Sequence, residues 1–71
     1  MDLRELRKQL KKTAKEVAEK LGVVTRTVHS YEQGIRRVGL EEILTLSKLY
    51  DCTAEEIILA QLKSIEIYNS K

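Results

Sequence analysis

The chain contains no proline, phenylalanine or tryptophan, and only three glycines, three tyrosines, one histidine and one cysteine. Without proline and with so little glycine, it reads as a soluble helical chain rather than a disordered or fibrous one. The single cysteine, Cys52, cannot close an internal disulfide, and no apolar segment follows a basic N-terminus as a signal peptide requires. Together these point to the reducing cytoplasm. No apolar stretch approaches the roughly 20 residues that span a bilayer, so no membrane partner is expected. His29 has no cysteine or histidine cluster at ligand spacing, which argues against a metal site. Three tyrosines fall short of the aromatic array on which single-stranded nucleic acids stack. Nor is there a Ser/His/Asp or Cys/His arrangement, a phosphate-cradling glycine loop, or a facing pair of carboxylates. Seventy-one residues leave too little interior for a deep catalytic cleft. The expectation is a binding domain rather than an enzyme, with no cofactor and no small-molecule ligand indicated.

What is present is charge, unevenly spread. Residues 1–40 carry ten Lys/Arg against five Asp/Glu, a balance of +5, whereas residues 41–71 carry three against six, a balance of −3. A basic half beside an acidic half suits a domain that turns one face to a polyanion, although chance clustering on a solvated surface gives the same sums.

Apolar spacing is helical nearly throughout, with no repeat and no linker, so residues 1–71 read as one all-α domain of five short helices. Leu3, Leu6 and Leu10 follow Asp2, a candidate N-cap, in a first helix over roughly 2–11. Thr13-Ala-Lys-Glu16 is a capping box opening a second helix with Val17, Ala18 and Leu21 inward, and Gly22 suits the left-handed residue after it. A third helix runs from about Thr25 to Glu32 with Val28 and Tyr31 inward and Gly34 at its end. Gly39-Leu40 opens a fourth, with Leu40, Ile43, Leu44 and Ser47, joined by Leu46 and Leu49, on its core side. Thr53-Ala-Glu-Glu56 reads as another capping box, and the fifth helix extends through Leu62 to about Ile65. The Ile65/Ile67 alternation in IEIY, residues 65–68, is a competing pattern for a short strand at a dimer edge.

The second and third helices are separated by only a few residues around Gly22, too few for antiparallel packing. They must cross steeply, as in a helix-turn-helix over residues 13–32. Ala18, one turn before Gly22, leaves room for that crossing. In GVVTRTVHSYEQG, residues 22–34, the anchors Val23, Val28 and Tyr31 interleave with Thr25, Arg26, Thr27, His29 and Ser30, short or forked side chains capable of hydrogen bonding, with no acid among them.

LREL-R at the start, EVAEKLGV, the Tyr-Glu-x-Gly end of the third helix and LEEILTLSKLYDCTAEEI occur here in order and at fixed spacing. Over residues 3 to about 58 the chain resembles the phage-repressor and Cro type of helix-turn-helix domain, the XRE-like family, and so implies a lambda-repressor-like fold with an extended C-terminal helix. The resemblance implies that the third helix enters the major groove of double-stranded DNA. Thr25, Arg26 and Ser30, flanked by His29, match base-facing positions. Thr27 and the backbone amides near Val24 and Gly34 match phosphate-facing ones. Arg7 and Glu32 match an ion pair between the first helix and the end of the third. Three positions depart from the family. Ala14 stands where glutamine is common and removes a phosphate or bracing contact. Val24 replaces a Ser/Thr cap, leaving the helix start frayed or capped by Thr25. Val38 replaces a frequent proline and leaves the following loop less fixed.

The residue chemistry bears on the same sites. Arg26 can fork onto guanine O6 and N7, and a threonine methyl can meet a thymine methyl. Arg36 and Arg37 suit phosphates or a minor-groove wall, or are ordinary surface charge. His29 is either a DNA contact or a solvated helix residue. Cys52 is a small buried hydrophobe or a regulatory thiol, and Tyr31 and Tyr50 fit core positions. Ile58, Leu62 and Ile65 form an i, i+4, i+7 stripe beyond what a small core needs, so residues 57–68 are the candidate dimer surface, unless the stripe folds back on the first helix. The function expected is a sequence-specific transcriptional regulator, a repressor of phage or mobile-element type acting on an inverted-repeat operator as a homodimer. A protein-interaction or antitoxin-like module is the alternative.

Overall fold

Helix starts in this chain are written in its capping residues, and the computed structural model, which describes residues 1–70, shows them in use. The elements are α1 (Leu3–Gln9), α2 (Ala14–Leu21), α3 (Thr25–Gln33), α4 (Leu40–Leu49) and α5 (Ala54–Asn69), with no strand among the described residues. Asp2 accepts from Glu5 N–H at 2.9 Å while Glu5 accepts from Asp2 N–H at 3.2 Å. Thr13 and Glu16 reciprocate in the same way at the start of α2, at 3.1 and 3.2 Å. At α5 only half of the expected box forms: Thr53 Oγ1 accepts from Glu56 N–H at 3.1 Å, without the return bond. Helices α3 and α4 begin at Val24 and Gly39 with no side-chain cap at all. Thr25 is the first helical residue of α3 and does not substitute for the missing cap.

Helix ends follow glycine where there is one. Gly22 takes φ +72° and lets Val23 N–H reach Ala18 O at 3.0 Å. Gly34 takes φ +81° and lets Ile35 N–H reach Ser30 O at 3.1 Å. Both are the left-handed helix termination that a side chain would oppose. Where glycine is lacking, the ends differ from expectation. The first helix stops at Gln9 rather than near 11, because Lys11 adopts φ +58° in a tight turn. Nothing halts α5 near Ile65, so it continues to Asn69 and IEIY is helical rather than an edge strand.

The core draws on all five helices: Leu3, Val17, Ala18, Val28, Tyr31, Leu46, Tyr50, Ile57 and Ala60 are buried together. Val17 and Ile57 are almost wholly enclosed, and burial of each is worth roughly 1.5–3 kcal/mol. Helix α4 turns differently from the expected register. Leu46 and Tyr50 point inward and Ile43 and Leu49 flank them, whereas Leu40 is 82% and Leu44 56% exposed. Ser47 is half-buried and its hydroxyl donates to Leu44 O at 2.8 Å. The loop at Val38 is not loose. Val38 is buried, and its N–H donates to Gln61 of α5.

Candidate nucleic-acid interface

Helix α3 is held from behind. Its inward residues Val28 and Tyr31 are buried against α2 and the core, which fixes its rotation about its own axis. At its far end Arg7 of α1 grips Glu32 with both arms of the guanidinium: Nε to Oε2 at 2.6 Å and Nη2 to Oε1 at 3.1 Å. The remaining arm donates to Lys12 O at 3.0 Å. The two side chains are 10% and 4% exposed, so this forked pair is scarcely reached by screening salt. The bond to Glu32 raises the Arg7 pKa against the opposing effect of burial.

Gly34 completes the attachment. A methyl group there would overlap the carbonyl of Ser64, so the end of α3 meets α5 backbone to backbone. Gly34 is buried and its N–H is already given to Tyr31 O at 3.2 Å. Gly34 thus serves close packing in this fold, and a phosphate expected at this position would share its N–H with Tyr31 O.

With Val28 and Tyr31 turned in, the helical period turns Arg26 and His29 outward, and both are exposed. Thr25 and Ser30 flank them, half-buried, as does Thr27, whose own N–H is satisfied by Val24 O at 3.0 Å. Gln33 is exposed and lies one turn beyond His29 and two beyond Arg26 on the same face. A reading centred on the start of the helix passes over it, although its spacing from Arg26 and His29 is there to be followed. Its amide, one donor beside one acceptor, matches the edge of adenine. Among the described residues, none of the side chains of Thr25, Arg26, His29, Ser30 and Gln33 forms a hydrogen bond within the chain. Arg36 and Arg37 are exposed in the loop that follows, and Ile35 and Arg36 N–H both return to Ser30 O, which draws the loop back toward the helix.

His29 and Gln33 also edge an open groove of about 570 Å³ between α1, α3 and the last turns of α5, with Arg4, Ile67 and Tyr68 on its other sides and the Arg7–Glu32 pair along it. Tyr50, packed near that pair, has its hydroxyl pKa pushed up, first by burial and then by the charge of Glu32. Cys52 is half-buried rather than enclosed; burial, followed by Glu56 and Asp51, pushes its thiol up, away from the reactive thiolate form. No group of residues fit to hold a metal ion occurs among the described residues.

On the opposite flank of α5 the apolar stripe stays in the open. Ile58 is 43% and Leu62 50% exposed, with Ile65 half-buried beside them. The described helices include none long and apolar enough to cross a membrane.

Comparison with known proteins adds an independent line. The model of a family described as helix-turn-helix matches residues 3–57. The chain is 34% identical over 56 residues to the uncharacterized HTH-type transcriptional regulator YobD of Bacillus subtilis (strain 168), covering 79% of this chain and 50% of that protein. It is 38% identical over 56 residues to the HTH-type transcriptional regulator AnsR of the same organism, covering 79% and 48%. The chain thus spans about half the length of the curated relatives it matches. No solved structure matches it.

Proposed function

Because this chain belongs to the helix-turn-helix family, we propose that it is a DNA-binding transcriptional regulator that reads double-stranded DNA by inserting α3 into the major groove. The observation that carries the reading is the outward face of α3. Arg26, His29 and Gln33 stand exposed in line, no acid interrupts them, and buried anchors fix the helix that bears them. In this reading Thr25, Arg26, His29, Ser30 and Gln33 meet base edges, and Thr27, Arg36 and Arg37 meet phosphates. The residues 1–71 act as a single domain, and two copies pair through the exposed stripe of residues 57–68. Pairing sets two reading helices about one DNA turn apart, ~34 Å, over an inverted repeat. Occlusion of a promoter by such a pair makes a repressor, of the kind that suits phages and mobile elements.

Selection of duplexes from a random pool by the purified protein tests this directly. An enriched inverted repeat is the expected outcome, and a pool left without enrichment at low salt overturns the reading. In that event the exposed Leu40 and Leu44 of α4 favour the second reading, a protein-interaction module whose partner covers that apolar face.

A further inference from the structure

A glutamine inside a small apolar core is costly unless its amide is fully engaged. Gln61, 7% exposed between Ile57 and Ser64 on the inner face of α5, is engaged on both sides. Its Nε2 donates to Tyr31 O at 3.0 Å, and its Oε1 accepts from Val38 N–H at 2.5 Å. A carbonyl on one side and an N–H on the other permit only this orientation of the amide. The two backbone groups bracket residues 31–38, the end of α3 and the loop that carries Arg36 and Arg37. Gly34, midway, rests on the Ser64 backbone one turn further along α5. One helix therefore grips this segment at both ends and in the middle.

We propose that Gln61 is a positioning residue for DNA binding: through it α5 holds the Arg36–Arg37 loop in register with the reading helix, without touching DNA itself. The proposal rests on the DNA-binding reading above. A methionine at 61 fills the same space but leaves Val38 N–H unpaired and Tyr31 O with the Gly34 N–H alone, which frees the loop to drift from the phosphates while α3 stays anchored by Val28 and Tyr31. Ser64 provides the matched control. It is buried on the same helix and accepts from Leu3 N–H at 3.4 Å, a bond to α1 rather than to the loop.

The test compares wild type, Gln61→Met and Ser64→Ala on the duplex recovered by selection, at a temperature where all are folded. Gln61→Met should weaken binding about tenfold. It should also lower the slope of log affinity against log salt by about 1–2, at roughly 0.9 for each phosphate no longer neutralised. Ser64→Ala should lower thermal stability and leave the slope unchanged. In an Arg36→Ala/Arg37→Ala background, Gln61→Met should cost almost no further affinity. An unchanged slope, equal losses in the two single variants, or full additivity with the arginine changes would overturn the proposal. If Gln61→Met does not fold, hydrogen exchange of the wild type carries the test. Hydrogen exchange of wild type supplies a readout that needs no DNA: the Val38 amide should be protected like the core amides of α5, and exchange at the rate of an open loop refutes the clamp. A protected Val38 in a protein that selects no duplex refutes the DNA-binding reading instead.

Discussion

Replacement of Arg7 by methionine measures how far one ion pair fixes the geometry of α3. Methionine keeps much of the stem volume but removes both bonds to Glu32 and the bond to Lys12 O. The Glu32 carboxylate, 4% exposed, is left without a partner. Loss of one member of a buried pair typically costs about 3–5 kcal/mol. The pair borders the open groove beside Tyr68, so water can reach its edge and the lower end, about 3 kcal/mol, is expected. A chain of this length has roughly 4–10 kcal/mol in all. Arg7→Met should therefore lower the melting temperature by on the order of 12–24 °C, at about 4–8 °C per kcal/mol. Glu32→Gln retains a neutral acceptor and should cost about 1–2 kcal/mol. The double variant Arg7→Met/Glu32→Leu removes both charges and should be more stable than Arg7→Met alone. Urea titration followed by circular dichroism, at one protein concentration so that association does not contribute, reads all four forms. If Arg7→Met lies within about 1 kcal/mol of wild type, or if the double variant is no more stable than Arg7→Met alone, the pair does not hold α3 in the way described.

Two glycines with similar backbone angles should respond very differently to alanine. Gly22 has open space around it and should lose about 1 kcal/mol for its left-handed conformation, whereas Gly34→Ala also collides with Ser64 and should lose several times more; equal losses by urea titration would refute the backbone contact. Val24 is 68% exposed and provides no cap, so Val24→Ser should raise stability by about 0.5–2 kcal/mol through a new bond to the first turn of α3, read as a higher urea midpoint at an unchanged slope. Tyr50 stays protonated in the folded chain above the usual tyrosine range. The unfolded chain gives up that proton above about pH 10, so its proton count falls first and stability declines as pH rises, by at most ~1.4 kcal/mol per pH unit; Tyr50→Phe should show a shallower alkaline decline, and coincident profiles would remove Tyr50 as the cause. Leu62→Glu puts a charge into the exposed stripe of α5 and should yield a monomer by sedimentation at concentrations where wild type is paired; a dimeric variant would exclude that surface.

The parts legible in the sequence are those written in adjacent residues. Asp2 with Glu5, Thr13 with Glu16, and the glycines at 22 and 34 each act within a turn of their own position, so spacing alone reveals them. The anchors Val28 and Tyr31 are legible for a related reason: polar residues on every other side leave only one way to turn the helix. Helix α4 lacks that contrast. Leucines or isoleucine at 40, 43, 44, 46 and 49 ring much of its circumference, and only contact with the other helices decides that Leu46 goes in and Leu40 stays out. Gln61 and Ser64 are illegible because polar letters in a helix usually mean surface, and the backbone groups they satisfy lie 23 to 61 residues away. The close packing at Gly34 is illegible for the same reason, since the carbonyl it rests on belongs to a helix whose approach no local pattern encodes.

The division of labour on α3 has a consequence for how such a protein can change. Everything that locates the helix lies on one side of it: Val28, Tyr31, the forked grip on Glu32 and the bare backbone at Gly34. The side chains on the other side hold nothing together, and exchanging exposed residues of that kind usually moves stability by no more than about 0.5 kcal/mol. Positions 26, 29 and 33 can therefore be rewritten freely without testing the tolerance of the core. A library randomised there would remain folded almost throughout, and under the proposed reading its members would differ in what they recognise. The scaffold behaves as a socket with exchangeable teeth, in which new specificity can arise by single steps without first passing through a misfolded intermediate.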